Sequence, residues 1–203
     1  MNMERPLNIL FLVGVKHSGK SSLGRAACRI LARSQIAHFY DVDELIVAAL
    51  PPPYTTIREF YRLEGQSAFM ELEMKALQCA LETLPQGLVV FALGGGACDN
   101  LPLVELMQST GKIIYLAVEE ATLLKRIIRG SLPPFLDKDD PESSFRTLYR
   151  QRDAQYRQLS DYVLQLYDCR SIEENGEIVA SAILEVTGSE EKCRKIVLEQ
   201  PLE

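Results

Sequence analysis

Gly14-Val15-Lys16-His17-Ser18-Gly19-Lys20-Ser21, directly after the apolar run Asn8-Ile9-Leu10-Phe11-Leu12-Val13, decides how the rest of the chain is read. The eight residues fit G-x-x-x-x-G-K-[ST], the loop that joins a buried strand to a helix. Glycines let successive backbone N–H groups turn toward one point, and the positive end of the following helix adds to that anion nest. Such a loop holds phosphate. Lys20 is placed to reach the β- and γ-phosphates of a nucleotide, and the Ser21 hydroxyl to ligate Mg²⁺. His17, Ser18 and Ser22 complete the loop's contact with the nucleotide, and His17 is read as a loop member, not a catalyst. A plain glycine turn is the bland alternative; the strand before and the helix after argue against it.

Outward from the loop, the 203 residues are enough for one α/β domain with a substantial core. Hydrophobic residues at 47% and charged residues at 25% fit a globular chain. With 22 Lys and Arg against 28 Asp and Glu, the net charge of −6 argues against a nucleic-acid or membrane surface. No apolar run approaches the ~18 residues that span a bilayer, and Met1 to Pro6 does not read as a signal peptide. The cytoplasm is the expected compartment. Five scattered cysteines, Cys28, Cys79, Cys98, Cys169 and Cys193, contain no C-x-x-C and are expected to be reduced. Two histidines, His17 and His38, are too few for a histidine-based zinc site.

Apolar runs and helical periodicity alternate along the chain. Strands are expected at 7–13, 36–40, 88–93, 113–118 and 162–166, with helices at 20–33, 43–49, 101–109, 120–129, 142–160 and 172–187. Residues 55–84 read as helix in two pieces that break near Gly65. Asp43 reads as the cap of the helix that follows it. Residues 130–141, with Pro133, Pro134 and Pro141, read as a mobile surface loop, and residues 188–203 as a charged tail. The alternation predicts a parallel sheet with helices on both sides and no second domain.

In such a sheet ligands gather at the carboxyl ends of the strands, where the phosphate loop, Asp41/Asp43 and Gly94-Gly95-Gly96 all fall. Asp41 and Asp43 are two residues apart and share a face while the chain stays extended. A phosphotransferase needs one carboxylate on the metal side and one to orient or deprotonate the acceptor hydroxyl. The glycine run after a buried strand allows a ligand to approach the backbone closely.

Taken together, Gly14…Gly19-Lys20-Ser21, Phe39-Tyr40-Asp41-Val42-Asp43, Gly65-Gln66-Ser67-Ala68-Phe69, Leu93-Gly94-Gly95-Gly96 and Arg152-Asp153-Ala154-Gln155-Tyr156 resemble the shikimate kinase family in order and spacing over residues 7–185. The resemblance implies a three-layer αβα P-loop kinase fold as one domain over 1–187. It would have a substrate-binding helical region at about 43–84 and a lid at 130–141. It further implies a monomer with a small-molecule substrate, and ATP and Mg²⁺ as cofactors. Lys20 and Asp43 match the catalytic pair, and Gly14, Gly19, Ser18 and Ser22 the phosphate loop. Ser21 and Asp41 match the metal side, and Arg126 an arginine that packs against adenine. Asp43, Gly94, Gly95, Gly96 and Arg152 match the acceptor site, with Arg152 pairing the shikimate carboxylate.

Three departures qualify the match. Met70 stands where the family has an arginine on the same carboxylate, Pro133-Pro134-Phe135 replaces the lid's Arg-Pro-Leu, and Gly65-Gln66 replaces Gly-Glu. Removing one member of a buried charge pair costs about 2–5 kcal/mol, and a missing transition-state arginine about 10³ in rate. Arg58, Arg62 and Arg129 are the nearby cations that could replace them. The leading expectation is transfer of the γ-phosphate of Mg·ATP to shikimate. The alternatives are a kinase for another small hydroxylated acceptor, or a catalytically weak ATP-binding regulatory protein.

Overall fold

The computed structural model describes residues 8–129, 136–137, 139–167 and 170–188. Its five strands are β1 (Asn8–Val13), β2 (Ala37–Asp41), β3 (Leu88–Ala92), β4 (Lys112–Val118) and β5 (Tyr162–Leu166). They form one parallel sheet in the order β2-β3-β1-β4-β5. β3 is buried at every position and β4 at all but Lys112, as the unbroken apolar runs require of strands covered on both faces. β5, at the sheet's edge, alternates in exposure instead.

The helices are α1 (Lys20–Leu31), α2 (Val42–Ala49), α3 (Ile57–Glu82), α4 (Leu101–Thr110), α5 (Glu120–Arg129), α6 (Pro141–Leu159) and α7 (Ile172–Val186). A short 3-10 turn, Ala97–Asp99, follows the glycine run. The core joins β1, β3 and β4 to the inner faces of α1, α4, α5, α6 and α7. α6 is fastened to β4 by Tyr115, whose ring stacks on Tyr156 at 5.2 Å and whose hydroxyl donates to Asp153 at 2.7 Å. That attachment fixes the helix that carries Arg152.

Topology places the crevice. The chain leaves β1 toward β2 on one side and leaves β3 toward β4 on the other, so adjacent loops diverge at the carboxyl end of the sheet. Register brings the ends level: Leu12 pairs with Ala92, and Ala92 with Asp41. The three motifs read from the sequence therefore open on one space.

Several boundaries differ from expectation. Asp41, not Asp43, caps α2: its carboxylate accepts from the Asp43 N–H at 3.1 Å, and Asp43 lies inside the first turn. An extended residue whose oxygen reaches two residues ahead is the better cap, so the strand's last residue takes that role. Ile36 lies outside β2 and is exposed. Pro141 opens α6 instead of closing a loop, with Asp140 as its cap, because proline's fixed φ suits a helix's first turn. Most of the expected lid, including Pro133, Pro134 and Phe135, lies outside the described residues, as do Cys169, Cys193 and residues 189–203 of the tail. Leu136, within the expected lid, is buried in the core.

The break at Gly65 is present. α3 runs through residue 65 with φ 86° and ψ 179° there, a left-handed conformation that only glycine adopts without strain. Two helical arms meet at that kink, and the edge-to-face contact of Tyr61 with Phe69 at 5.6 Å spans it.

Candidate active site

The phosphate loop is built as its sequence dictates. Gly19 has φ 92° and His17 φ 67°, turning successive amides inward ahead of α1. Lys20, only 7% exposed, donates to the carbonyls of Gly14 at 2.8 Å and Val15 at 3.2 Å. An ammonium has three donors, so one remains for an anion in front of the loop. Burial pushes the Lys20 ammonium down to about 8, against the pull of Asp43 and Asp41. The buried Ser18 hydroxyl has no hydrogen-bond partner among the described residues. Both features fit a loop made to receive a polyphosphate, whose charge would restore the ammonium and whose oxygens would meet the orphaned hydroxyl.

In front of the loop lies a cavity of about 640 Å³. Lys20, Ser21 and Asp43 line it together with Gly94, Gly95, Gly96 and Arg152. The loops after β1 and β3 touch here: a Cβ on Gly95 would lie 2.8 Å from the Lys16 backbone nitrogen. Glycine is thus required for the two loops to close on one another. The Asp43 carboxylate opens on the cavity, and burial first, then Asp41, raises its pKa from the ordinary aspartate value. Asp41 does not line the cavity, and its carboxylate accepts the cap bond from the Asp43 N–H.

Arg152 is buried and bound on two sides. Its Nε and Nη2 donate to Asp99 at 3.2 and 2.7 Å, and Nη1 donates to the Gly95 carbonyl at 3.1 Å. Sequence reasoning missed Asp99, and it also missed Glu73. Glu73 is 2% exposed on the cavity wall and accepts from Asn100 Nδ2 at 3.0 Å; burial drives its carboxyl up to about 7. The signal existed: Phe69, Glu73, Ala76 and Leu77 fall at helical spacing on one inward face, and a charge among them marks a special position. The Asn100 amide also donates to the Met70 carbonyl at 2.9 Å, tying the glycine loop to α3.

A second cavity, of about 440 Å³, adjoins the first and shares His17, Gly19 and Ser22 with it. Its far wall holds Arg126, Tyr167 and Asn175. Arg126 Nη1 donates to the His17 carbonyl at 2.7 Å, and the Asn175 side-chain oxygen is buried without a partner. Burial, then Lys16, Lys20 and Arg126, lowers the His17 pKa, so this loop residue is neutral near pH 7. Gly14, with φ 154°, turns the chain into the loop and lines neither cavity. His38 sits half-buried in β2, away from both cavities. Cys98 is buried, with a thiol that burial pushes up to about 11, which denies it the thiolate form.

Of the three compensating cations considered, Arg58 lines the larger cavity, together with Met70. Arg62 and Arg129 are exposed and line neither. No group of three His, Cys, Asp or Glu side chains able to hold a metal occurs among the described residues. Mg²⁺ needs no such cage: it keeps several waters and is held by one or two protein oxygens with substrate phosphates. The hydroxyl of Ser21, on the cavity wall, fits that kind of sharing, whereas Asp41 lines neither cavity and gives one carboxylate oxygen to the α2 cap. No helix among the described residues is long and apolar enough to cross a membrane.

Known proteins with this arrangement agree with one another. The family model described as shikimate kinase matches residues 16–187. A shikimate kinase of Neisseria meningitidis serogroup C is 34% identical over 161 residues, covering 79% of this chain and 89% of the relative. One from Chromobacterium violaceum is 32% identical over 163 residues, covering 80% and 83%. The solved shikimate kinase from Acinetobacter baumannii in complex with shikimate superposes with a TM-score of 0.73 at 25% identity, covering 89% of this chain and 95% of that one. A match that runs from Lys16 within the phosphate loop through both carboxylates, the glycine run and α6 leaves one conclusion: this chain belongs to the shikimate kinase family.

Proposed function

We propose that the protein transfers the γ-phosphate of ATP to a hydroxyl of shikimate, with the two adjoining cavities dividing the work. The observation that carries this reading is the meeting of Lys20, Asp43 and Arg152 on one 640 Å³ space directly in front of the phosphate loop. The phosphates lie in the loop from Gly14 to Ser22, and the adenine lies in the second cavity against Arg126. Lys20 offsets charge on the transferring group. Asp43, a carboxylate with a raised pKa, takes the proton of the attacking hydroxyl. Gly94, Gly95 and Gly96 bring backbone against the acceptor ring, and Arg152, on the anchored α6, faces its carboxylate. Residues 43–84 supply the rest of the acceptor wall, within a single domain over 1–187.

Mg²⁺, held by the Ser21 hydroxyl and phosphate oxygens with Asp41 reaching it through a retained water, would supply positive charge where negative charge grows. The same reading has the chain working as a monomer in the cytoplasm, which sizing in solution and fractionation would check. Asp43→Asn tests the roles. It keeps shape and removes the base, so kcat should fall ~10²–10⁴-fold while ATP affinity stays within a few fold. A variant that retains near-full turnover would overturn the assignment of Asp43.

A further inference from the structure

The geometry points to Arg58 as the cation that grips the carboxylate of the acceptor, taking over from the other arm of α3 the work that Met70 cannot do. This rests on the proposed function and adds the specificity-determining residue to it.

Several cations surround the larger cavity. Lys16 and Lys20 belong to the phosphate loop, and the charge of Arg152 is offset by Asp99 at 2.7 Å. The acceptor end also carries Asp43 and Glu73, so beside the Arg152–Asp99 pair an anion entering there meets two more carboxyl groups. Among the described residues on that wall the other arginine is Arg58, which comes from the arm of α3 before Gly65.

The kink explains its position. Ile57, Arg58 and Tyr61 come from the arm before Gly65, at helical spacing on one face. Gln66, Phe69, Met70 and Glu73 come from the arm after it, again on one face. The kink turns both faces onto the same space, so a cation lost at 70 can be restored from 58. Thr56 caps the helix by accepting from the Glu59 N–H at 3.2 Å, which sets Arg58 in the first turn. A cation there works against the helix dipole, a cost that an anion bound at the same helix end would reverse. Arginine also suits the task, since its planar fork meets a carboxylate with two hydrogen bonds.

The test compares shikimate with its uncharged methyl ester, using the full chain with ATP and Mg²⁺. Arg58→Ala should raise KM for shikimate about thirty-fold or more with kcat within threefold, leaving KM for ATP and KM for the ester unchanged. Arg58→Lys should fall between, keeping the charge and losing the fork. Arg62→Ala, one turn further along the same helix and lining neither cavity, should match wild type. Equal losses for acid and ester, a fall in kcat at constant KM, or an unchanged KM for shikimate would each overturn the assignment of Arg58 while leaving the proposed function standing. Wild-type protein that does not phosphorylate shikimate would overturn both.

Discussion

At the scale of single residues, Glu73 says most about what the site costs. It is a carboxyl group held in the core of a kinked helix beside Asp43 and Asp99, with Asn100 as its hydrogen-bond donor. Its pKa rises to about 7 in the folded chain from about 4.5 unfolded, so the folded state binds the proton more tightly. The sign follows: the contribution to stability is complete below pH 4.5 and is lost as pH rises to about 7. Glu73→Gln removes the charge and keeps an acceptor for Asn100. It should be more stable than wild type at pH 8, by about 3 kcal/mol at most, and equal to it near pH 4. Thermal melts at the two pH values check this; a variant less stable than wild type at pH 8 would show the ionised carboxylate to be favourable. Glu73 was hidden in the sequence for a physical reason. An inward charge on a helix looks like a surface charge until the helix's buried face is known. Asp43 was legible because a strand end fixes where the next side chains point, but which of two aspartates caps α2 depends on the backbone, and that choice reversed.

At the scale of elements, the decisive contact is between two loops. The turn after β1 and the glycine run after β3 approach so closely that Gly95 has no room for a side chain. Gly95→Ala would push a methyl group against the Lys16 backbone, which cannot move without opening the phosphate nest. We expect ATP affinity to fall by about 1–3 kcal/mol, roughly five- to a hundred-fold, with a smaller change in melting temperature. Titration calorimetry with ATP measures it; an unchanged affinity would mean that the loops are not mechanically joined. Strands and helices were legible to within a few residues because the central strands are unbroken apolar runs and the helices carry clear periodicity. The kink at Gly65 was also legible, since a glycine inside a long helical pattern marks a place where helix geometry can fail. What the kink does was not: periodicity along each arm says nothing about the angle between them, so the convergence of Arg58 and Met70 on one cavity required coordinates.

At the scale of the whole molecule, the fold turns a sequence order into a spatial one. The strand order β2-β3-β1-β4-β5 sets the loop after β1 between those after β3 and β4, so donor and acceptor spaces adjoin across a single loop. That much followed from the alternation of elements, because parallel sheets collect their functional loops at one edge. Arg152 needed more. Its place depends on α6 being pinned to β4 through Tyr115 and Tyr156, a contact between residues far apart in sequence. The central claim is that this assembly moves a phosphoryl group from ATP to shikimate. Phosphorus NMR of purified protein with ATP, Mg²⁺ and shikimate tests it most directly. The account predicts a new phosphomonoester signal growing in step with ADP and absent without shikimate; ATP that remains intact, or ADP released at the same rate with and without the acceptor, would contradict it.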